Sequence, residues 1–228
     1  MIGVVIVAAG SGERLGFGIP KAFVPLGDQP MASWSLAVFE RHPENFRVVL
    51  VVPAVVPAVT LTGLDAGRTT TVTGGGTRQE SVDRGLAALP ADVELVLIHD
   101  AARPLVTAAA ISAVVGALRA GADAVIPVLP VTDTVKRVGA DGTVLATLER
   151  ADLRLVQTPQ GFRRSVLADA HRAAEEAGLS DVSDDAGLVE WLGGSVTTVP
   201  GDEVAFKITT THDLDRARQL VASLRGGA

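Results

Sequence analysis

Chemistry is concentrated in the segment VAAGSGERLGFGIPK, Val7 to Lys21, where glycines and two cations follow an apolar run. Ala8, Ala9, Gly10 and Gly12 are small enough to let backbone amides approach an anion closely, and Ser11 lies among them. Arg14 and Lys21 add cationic donors, and Pro20 fixes the backbone just before Lys21. Two common phosphate cradles do not fit. A dinucleotide fingerprint needs G-x-G-x-x-G and an acid after the second strand. Here Gly10, Gly12 and Gly16 are spaced one residue too widely, and the second strand ends in Val-Val-Pro-Ala. A Walker A loop needs Gly-Lys-Ser/Thr, whereas Lys21 follows Pro20 and precedes Ala22. Two cations beside a glycine turn suit a triphosphate, because charge on the attacked phosphate and on the leaving pyrophosphate must both be stabilised. Either cation alone reads more readily as a solvated loop charge; strand end, glycines and Pro-Lys together reverse that and favour the cradle.

Two further stretches carry candidates. IHDAARPLV, Ile98 to Val106, places Asp100 and Arg103 at the end of another apolar run, held by Pro104. Two readings stand for this pair: an internal salt bridge, or a carboxylate that holds substrate hydroxyls or a metal-bound water. His99 reads as a core residue, since a phosphate monoester is already an anionic nucleophile at neutral pH and requires no general base. GGGTRQESV, Gly74 to Val82, is a glycine turn followed by a helix start with Ser81 near its N-terminus; a plain loop and a binding turn fit it equally.

These loops must be positioned by the elements before them. Strand-like runs alternate with helical ones: IGVVIVA, PMASWSLAVFERH, FRVVLVV, SVDRGLAAL, VELVLIH, TAAAISAVVGALRAG and ADAVIPV. Continuous Val/Ile/Leu strands separated by helices imply βα units, hence an α/β fold with a mostly parallel sheet covered on both faces. In such sheets ligands bind beyond the carboxyl ends of the strands, where all three glycine or Asp-Arg segments fall. Thr107 is the expected N-cap of the helix ending near Gly121, and Thr211 that of the last helix. TVKRVGADGTVLATL, Thr134 to Leu148, departs from the alternation with two β-rich halves around Asp141-Gly142, a hairpin turn signal. Apolar residues on both halves predict an arm, about 132–153, used for homodimerisation; the alternative is an edge hairpin folded on its own sheet.

Bulk properties exclude several classes. The 228 residues suffice for one α/β domain with an appended element, read as a single domain over 1–228. With 47% hydrophobic and 20% charged residues, long disorder is excluded. A net charge of −6 argues against coating nucleic acid or an anionic membrane. The absence of cysteine removes disulfides, thiolate zinc sites and cysteine nucleophiles. The N-terminal MIGVVIVAAG lacks the positive region of a signal peptide and reads as a buried strand, and Val48 to Val59 is too short to span a bilayer and carries two prolines. The expectation is a cytoplasmic protein without nucleic-acid or membrane partners.

A-A-G-S-G-x-R-L-G followed by P-K-A-F resembles the opening of sugar-nucleotide and related nucleotidyltransferases, which have a Rossmann-like fold and transfer an NMP from an NTP to a phosphate. GGGTRQESV, HDAARP, TDTVKR, LERADLRLVQTPQGF and GDEVAFKITTTHDL are similar, in order and spacing, to the 2-C-methyl-D-erythritol 4-phosphate cytidylyltransferase family. The resemblance implies a Rossmann-like three-layer fold and a Mg²⁺-dependent homodimeric enzyme. It would transfer CMP from CTP to a polyol phosphate, the methylerythritol phosphate of isoprenoid precursor synthesis. It also implies that Arg14 and Lys21 stabilise the pentavalent phosphate, and that Ala8, Ala9, Gly10, Gly75 and Ser81 frame the cytidine end, with Ser11, Gly12 and Gly76 in the same loops. Asp100 is implied at the acceptor, with Arg103 completing the H-D-x-x-R-P pattern. Thr134, Arg150 and Thr158 match positions that reach the acceptor phosphate of the neighbouring subunit, and Lys207 matches a lysine that helps position it, so Arg150 and Lys207 join the catalytic set. No metal ligand is assigned. Backbone groups and small residues would read cytosine: a close wall rejects a purine by size, and fixed amides reject uracil by mismatched donors. Gly76 and Thr77 stand where relatives often carry acids, and Glu13 beside Arg14 where some carry a base; recognition through the backbone survives that change. Ribitol 5-phosphate cytidylyltransferase shares the opening loop and the Asp-Arg motif and is the alternative acceptor class. A noncatalytic nucleotide sensor is the alternative outside enzymes, disfavoured because a sensor needs affinity and not transition-state charge stabilisation.

Overall fold

In a computed structural model of the chain, residues 1–10, 12, 15–55, 67–179 and 182–226 are described, without the side chains of 224–226. The first βα run is β1 (Ile2–Val7), a 3-10 turn (Lys21–Phe23), a small hairpin of β2 (Pro25–Leu26) and β3 (Gln29–Pro30), and α1 (Met31–Arg41). Then come β4 (Arg47–Val52), β5 (Thr69–Thr73), α2 (Arg78–Ala88), β6 (Leu95–Asp100), α3 (Ala108–Arg119) and β7 (Ala124–Pro130). The second half holds β8 (Lys136–Val138), β9 (Val144–Thr147), β10 (Arg154–Val156), β11 (Gln160–Arg163), α4 (Arg164–Glu176), α5 (Asp185–Trp191), β12 (Val196–Pro200) and α6 (Thr211–Gly226).

The main sheet runs β10-β7-β11-β6-β1-β4-β5, with β12 added to β7. The β1–β4, β1–β6, β4–β5 and β7–β12 pairs are parallel; β11 is inserted antiparallel between β6 and β7, and β10 pairs antiparallel with β7. The mostly parallel expectation holds. Alternation within each apolar strand supplies both faces. Val4 and Ile6 join Leu50, Leu97, Phe39 and Ile111 on the face of α1 and α3. Val5 joins Val49, Val51, Ile98, Leu86 and Phe162 on the face of α2 and α4. At Gly85 a Cβ would stand 2.3 Å from Val5 Cγ1, so only glycine lets α2 lie this close to β1.

Register brings three loops to one edge. Val7 pairs with Asp100 on one side and Val51 on the other, and Val52 pairs with Thr73. From β1 the chain builds outward to β4 and β5, then returns to the other side of β1 as β6, so the strand order reverses between β1 and β6. That switch point opens a crevice because the connections leave in opposite directions. A third cluster, including Leu15, Leu26, Met31, Ile208, Leu214 and Val221, packs α6 beside the glycine loop.

Thr107 caps α3 as expected, accepting from the Ala110 N–H at 3.3 Å. The cap expected at Thr211 falls one residue earlier: Thr210 Oγ1 accepts from the Asp213 N–H at 3.2 Å, and Asp213 Oδ2 accepts from the Thr209 and Thr210 N–H groups at 2.8 Å. Asp213 three residues on from Thr210 completes a reciprocal box that Thr211 cannot make. The Asp141-Gly142 turn is present, with Gly142 at φ +82 and Gly139 N–H donating to Thr143 O at 2.8 Å. β8 and β9 form a separate two-stranded sheet, which rules out the alternative of an edge hairpin on the main sheet. In the single chain Val144 is 56% and Leu145 61% exposed there.

On the α2/α4/α5 face the helices are tied by charge as well as packing. His171 of α4 is buried, with Nε2 3.0 Å from Asp185 Oδ1 and Nδ1 2.6 Å from Asp83 Oδ1. The second contact is a close ion pair in which the carboxylate oxygen lies off the line of the ring N–H. Burial pulls the imidazolium down, but the two carboxylates outweigh it and raise its pKa to about 9. A pKa raised above the unfolded value gives stability that is fully present below about pH 6.5 and lost as pH rises through about 9. The stability margin of the wild type over His171→Gln is therefore larger at pH 6.5 than at pH 10 in urea unfolding; a margin independent of pH would contradict this assignment.

Candidate active site

The crevice at the β1/β6 switch point is a cavity of about 610 Å³. Its floor comes from the end of β1. Ala8 N–H donates to Val51 O at 2.8 Å and Ala101 N–H donates to Val7 O at 3.1 Å, which anchors both strand exits. Ala8, Ala9, Gly10 and Gly12 line the cavity. Gly12 has φ +69, and a Cβ there would stand 2.3 Å from Lys21 Cβ. Glycine thus folds the loop directly over Lys21, which also lines the cavity at the start of the 3-10 turn. Buried Phe23 and the Phe23 N–H to Pro20 O bond of 2.9 Å anchor that turn. Ser11, Glu13 and Arg14 lie outside the described residues.

The second wall is the glycine turn before α2, with Gly75, Gly76 and Ser81 in the lining. Gly75 N–H donates to Ser81 Oγ at 3.1 Å and Gly76 N–H to Glu80 Oε2 at 2.7 Å. Ser81 Oγ in turn donates to Thr77 O at 2.9 Å, and Thr77 Oγ1 accepts from the Glu80 N–H at 3.1 Å. The helix start engages both of these amide donors, and Arg84 Nη1 and Ser81 Oγ donate to the flanking Gly74 and Thr77 carbonyls, so the backbone groups this turn offers a ligand are the carbonyl oxygens of Gly75 and Gly76.

The third wall carries charge. Asp100, at the end of β6, divides its carboxylate between two cations: Oδ2 is 2.7 Å from Lys207 Nζ, and Oδ1 is 3.3 Å from Arg78 Nε. Burial pushes this carboxyl up, but Arg78 and Lys207 outweigh it and hold it well below the usual carboxylate range. From behind, Thr158 Oγ1 accepts the Asp100 N–H at 3.1 Å and lies 3.0 Å from His99 Nδ1. His99 is fully buried and its Nε2 meets Arg103 O at 3.3 Å. Burial lowers its pKa to about 4, so it is a neutral core residue, with Thr158 donating to Nδ1 and Nε2–H donating to the carbonyl.

Of the Asp100–Arg103 alternatives, the internal salt bridge is not made. Arg103 donates to Ala205 O at 2.9 Å and to Val156 O at 3.0 Å, and it lies outside the cavity lining. It clamps the segment that carries Lys207, which is also held by Ile208 N–H to Ala102 O at 2.8 Å. Thr158 is buried behind Asp100 and does not line the cavity. Thr134 and Arg150 are exposed at the base of the arm, where Arg150 Nη1 donates to Thr132 O at 2.7 Å, and neither reaches the cavity of its own chain. The structure thus gathers the described loop residues, Asp100 and Lys207, and leaves Thr134 and Arg150 apart, beside a hairpin whose strands pair with each other and not with the main sheet.

Sequence reasoning missed Arg78, which also lines the cavity. Its Nη1 is 2.7 Å from Asp185 Oδ2 on α5. A cation in the first turn of a helix opposes the helix dipole, and that conflict in GGGTRQESV was the available signal that acidic partners exist elsewhere. Asp185 itself, 107 residues away, carries no local signature.

The profile of the IspD family, 2-C-methyl-D-erythritol 4-phosphate cytidylyltransferase, matches residues 2–223. A bifunctional enzyme IspD/IspF of Clavibacter michiganensis subsp. michiganensis is 50% identical over 230 residues, which covers 97% of this chain and 54% of that protein. The chain spans about half the length of such bifunctional relatives. The 2-C-methyl-D-erythritol 4-phosphate cytidylyltransferase of Frankia casuarinae is 46% identical over 222 residues, covering 97% of this chain and 81% of that one. The crystal structure of 2-C-methyl-D-erythritol 4-phosphate cytidylyltransferase from Thermus thermophilus is 38% identical with a TM-score of 0.80, over 96% of this chain and 98% of that one. Profile, relatives and fold coincide over the same residues that build the cavity: the chain belongs to the 2-C-methyl-D-erythritol 4-phosphate cytidylyltransferase family.

Proposed function

We propose that this cavity transfers CMP from CTP to 2-C-methyl-D-erythritol 4-phosphate, giving 4-diphosphocytidyl-2-C-methyl-D-erythritol and pyrophosphate. The observation that carries this reading is one cavity in which a glycine loop folded over Lys21 faces an Asp100–Lys207–Arg78 cluster. A phosphate oxygen of the acceptor attacks the α-phosphorus of CTP in line, the P–O bond to the pyrophosphate breaks, and the electron pair leaves with pyrophosphate. The protein's part is position and charge. Lys21, with Arg14 of the same loop, offsets the charge added at the α-phosphorus; Lys207 orients the acceptor phosphate, and Asp100 meets substrate hydroxyls. Carbonyl oxygens of the Gly75-Gly76 turn match the exocyclic amino donor of cytosine and mismatch the carbonyl of uracil. No proton has to be removed, which agrees with a neutral, buried His99.

Among the described residues no group of three His, Cys, Asp or Glu side chains is placed to hold a metal, and both oxygens of Asp100 already meet cations. This donor set fits a Mg²⁺ that would be held chiefly by triphosphate oxygens and water, with Asp100 the carboxylate in the cavity lining that could join them; when bound it would supply charge neutralisation on the phosphates. No helix of the described residues is long and apolar enough to cross a membrane, and the reading is of an enzyme working in the cytoplasm. The exposed apolar residues of β9, together with Thr134 and Arg150 beyond reach of their own cavity, support a homodimer in which each arm serves the neighbouring site.

Purified protein with CTP, Mg²⁺ and each polyol phosphate in turn is expected to release pyrophosphate with 2-C-methyl-D-erythritol 4-phosphate. Turnover with ribitol 5-phosphate and none with methylerythritol phosphate would overturn the acceptor assignment. Lys21→Ala is expected to lose about 10²-fold or more in turnover. Mixing it with Arg150→Ala subunits should restore part of the activity through hybrid dimers, and no recovery despite demonstrated subunit exchange would place each site within one chain.

A further inference from the structure

We propose that Arg78 is a positioning residue for the transfer reaction: anchored on the buried carboxylate of Asp185, its guanidinium fixes the Asp100 carboxylate and thereby keeps the Lys207 ammonium available to the acceptor phosphate. The inference rests on the cytidylyl-transfer reading of the cavity, and adds to it two residues and a division of labour. Arg78 opens α2, where a cation opposes the helix dipole and gains nothing from the helix itself. Its placement is explained by two carboxylates: Nη1 meets Asp185 Oδ2 at 2.7 Å and Nε meets Asp100 Oδ1 at 3.3 Å. Asp185 is 1% exposed, does not line the cavity, and is fixed on its other oxygen by His171 Nε2 at 3.0 Å. The guanidinium therefore hangs from a buried, immobile anchor and reaches Asp100 as a rigid fork.

Asp100 then has one oxygen for each cation. With Arg78 in place, Lys207 shares the carboxylate, and its side chain stays 43% exposed at the cavity. Without Arg78, Lys207 becomes the remaining counter-ion of Asp100. A buried carboxylate left with a single partner draws that partner in, away from an incoming phosphate. Lysine at position 78 retains the charge but lacks the fork, so it serves one carboxylate and leaves the other.

The test compares Arg78→Lys and Asp185→Asn with the wild type in steady-state kinetics with CTP, Mg²⁺ and the acceptor that the wild type turns over, alongside CTP affinity by equilibrium dialysis and folded fraction by circular dichroism. The expected result, per folded protein, is a loss of between about 10- and 100-fold in kcat/KM for the acceptor in both variants, with CTP affinity changed less than about threefold. The effect of Asp185→Asn is the decisive part, because Asp185 touches neither the cavity nor Lys207. Kinetics equal to the wild type per folded protein, or equal losses in CTP binding and acceptor use, would overturn the proposal and leave the pair a structural one. Failure of the underlying reading is distinct, since it shows as a wild type inactive with methylerythritol phosphate.

Discussion

The cavity depends on one buried carboxylate held between two cations. Asp100 ends β6 at the edge where the loops after β1, β5 and β6 converge, and its oxygens are divided between Lys207 and Arg78. A charge removed from water in this way is tolerable only if its partners are close and well oriented. Much of the surrounding architecture meets that condition. Thr158 on the loop before β11 takes the Asp100 N–H, Arg103 clamps the backbone that carries Lys207, and Asp185 with His171 anchors Arg78 from the far side of α2. The antiparallel insertion of β11 beside β6 is what brings Thr158 behind Asp100. Charges alternate along the whole path from Lys207 to Asp83, so no member is left buried without an opposite neighbour.

The glycine loop answers a different need. A triphosphate requires space close to backbone and cations at set positions, and Gly12 supplies both at once: its positive φ and missing Cβ allow the loop to rest on Lys21. The two halves of the cavity are therefore complementary. One is shaped by small residues around phosphates, while the other is a preset ion cluster suited to a second, phosphorylated substrate. Among the described residues neither pairs a nucleophile with an adjacent base, since His99 is neutral, buried and bonded on both ring nitrogens.

Much of this was legible in the sequence wherever the cause is local. Continuous Val/Ile strands announced a parallel sheet, Asp141-Gly142 announced the hairpin, and Thr107 its cap, because each signal lies within a few residues of its effect. Loop glycines, Lys21, Asp100 and Lys207 were legible as candidates and the fold does bring them together. Three consecutive threonines, Thr209 to Thr211, hid the true cap by one position, and the partner Asp213 decided it. Long-range pairings were not legible. In the sequence Arg103 pairs most simply with Asp100 three residues away, yet its guanidinium serves carbonyls of Val156 and Ala205. The role of Arg78 is set by Asp185, which lies 107 residues away in the chain and is brought to it only by packing of α5 on the sheet. The engaged amides of Gly75 and Gly76 likewise follow from the side chains of Glu80 and Ser81 and not from the glycines.

Among the described residues the cavity pairs no nucleophile with a general base, and the reaction proposed for it is a single displacement at the α-phosphorus. The most direct measurement is the stereochemical course of transfer from a CTP analogue carrying one sulfur at the α-phosphorus in a defined configuration. Inversion at that phosphorus is the predicted result. Retention would require two displacements and a covalent cytidylyl-enzyme, and would contradict direct transfer between the two substrates held in this cavity.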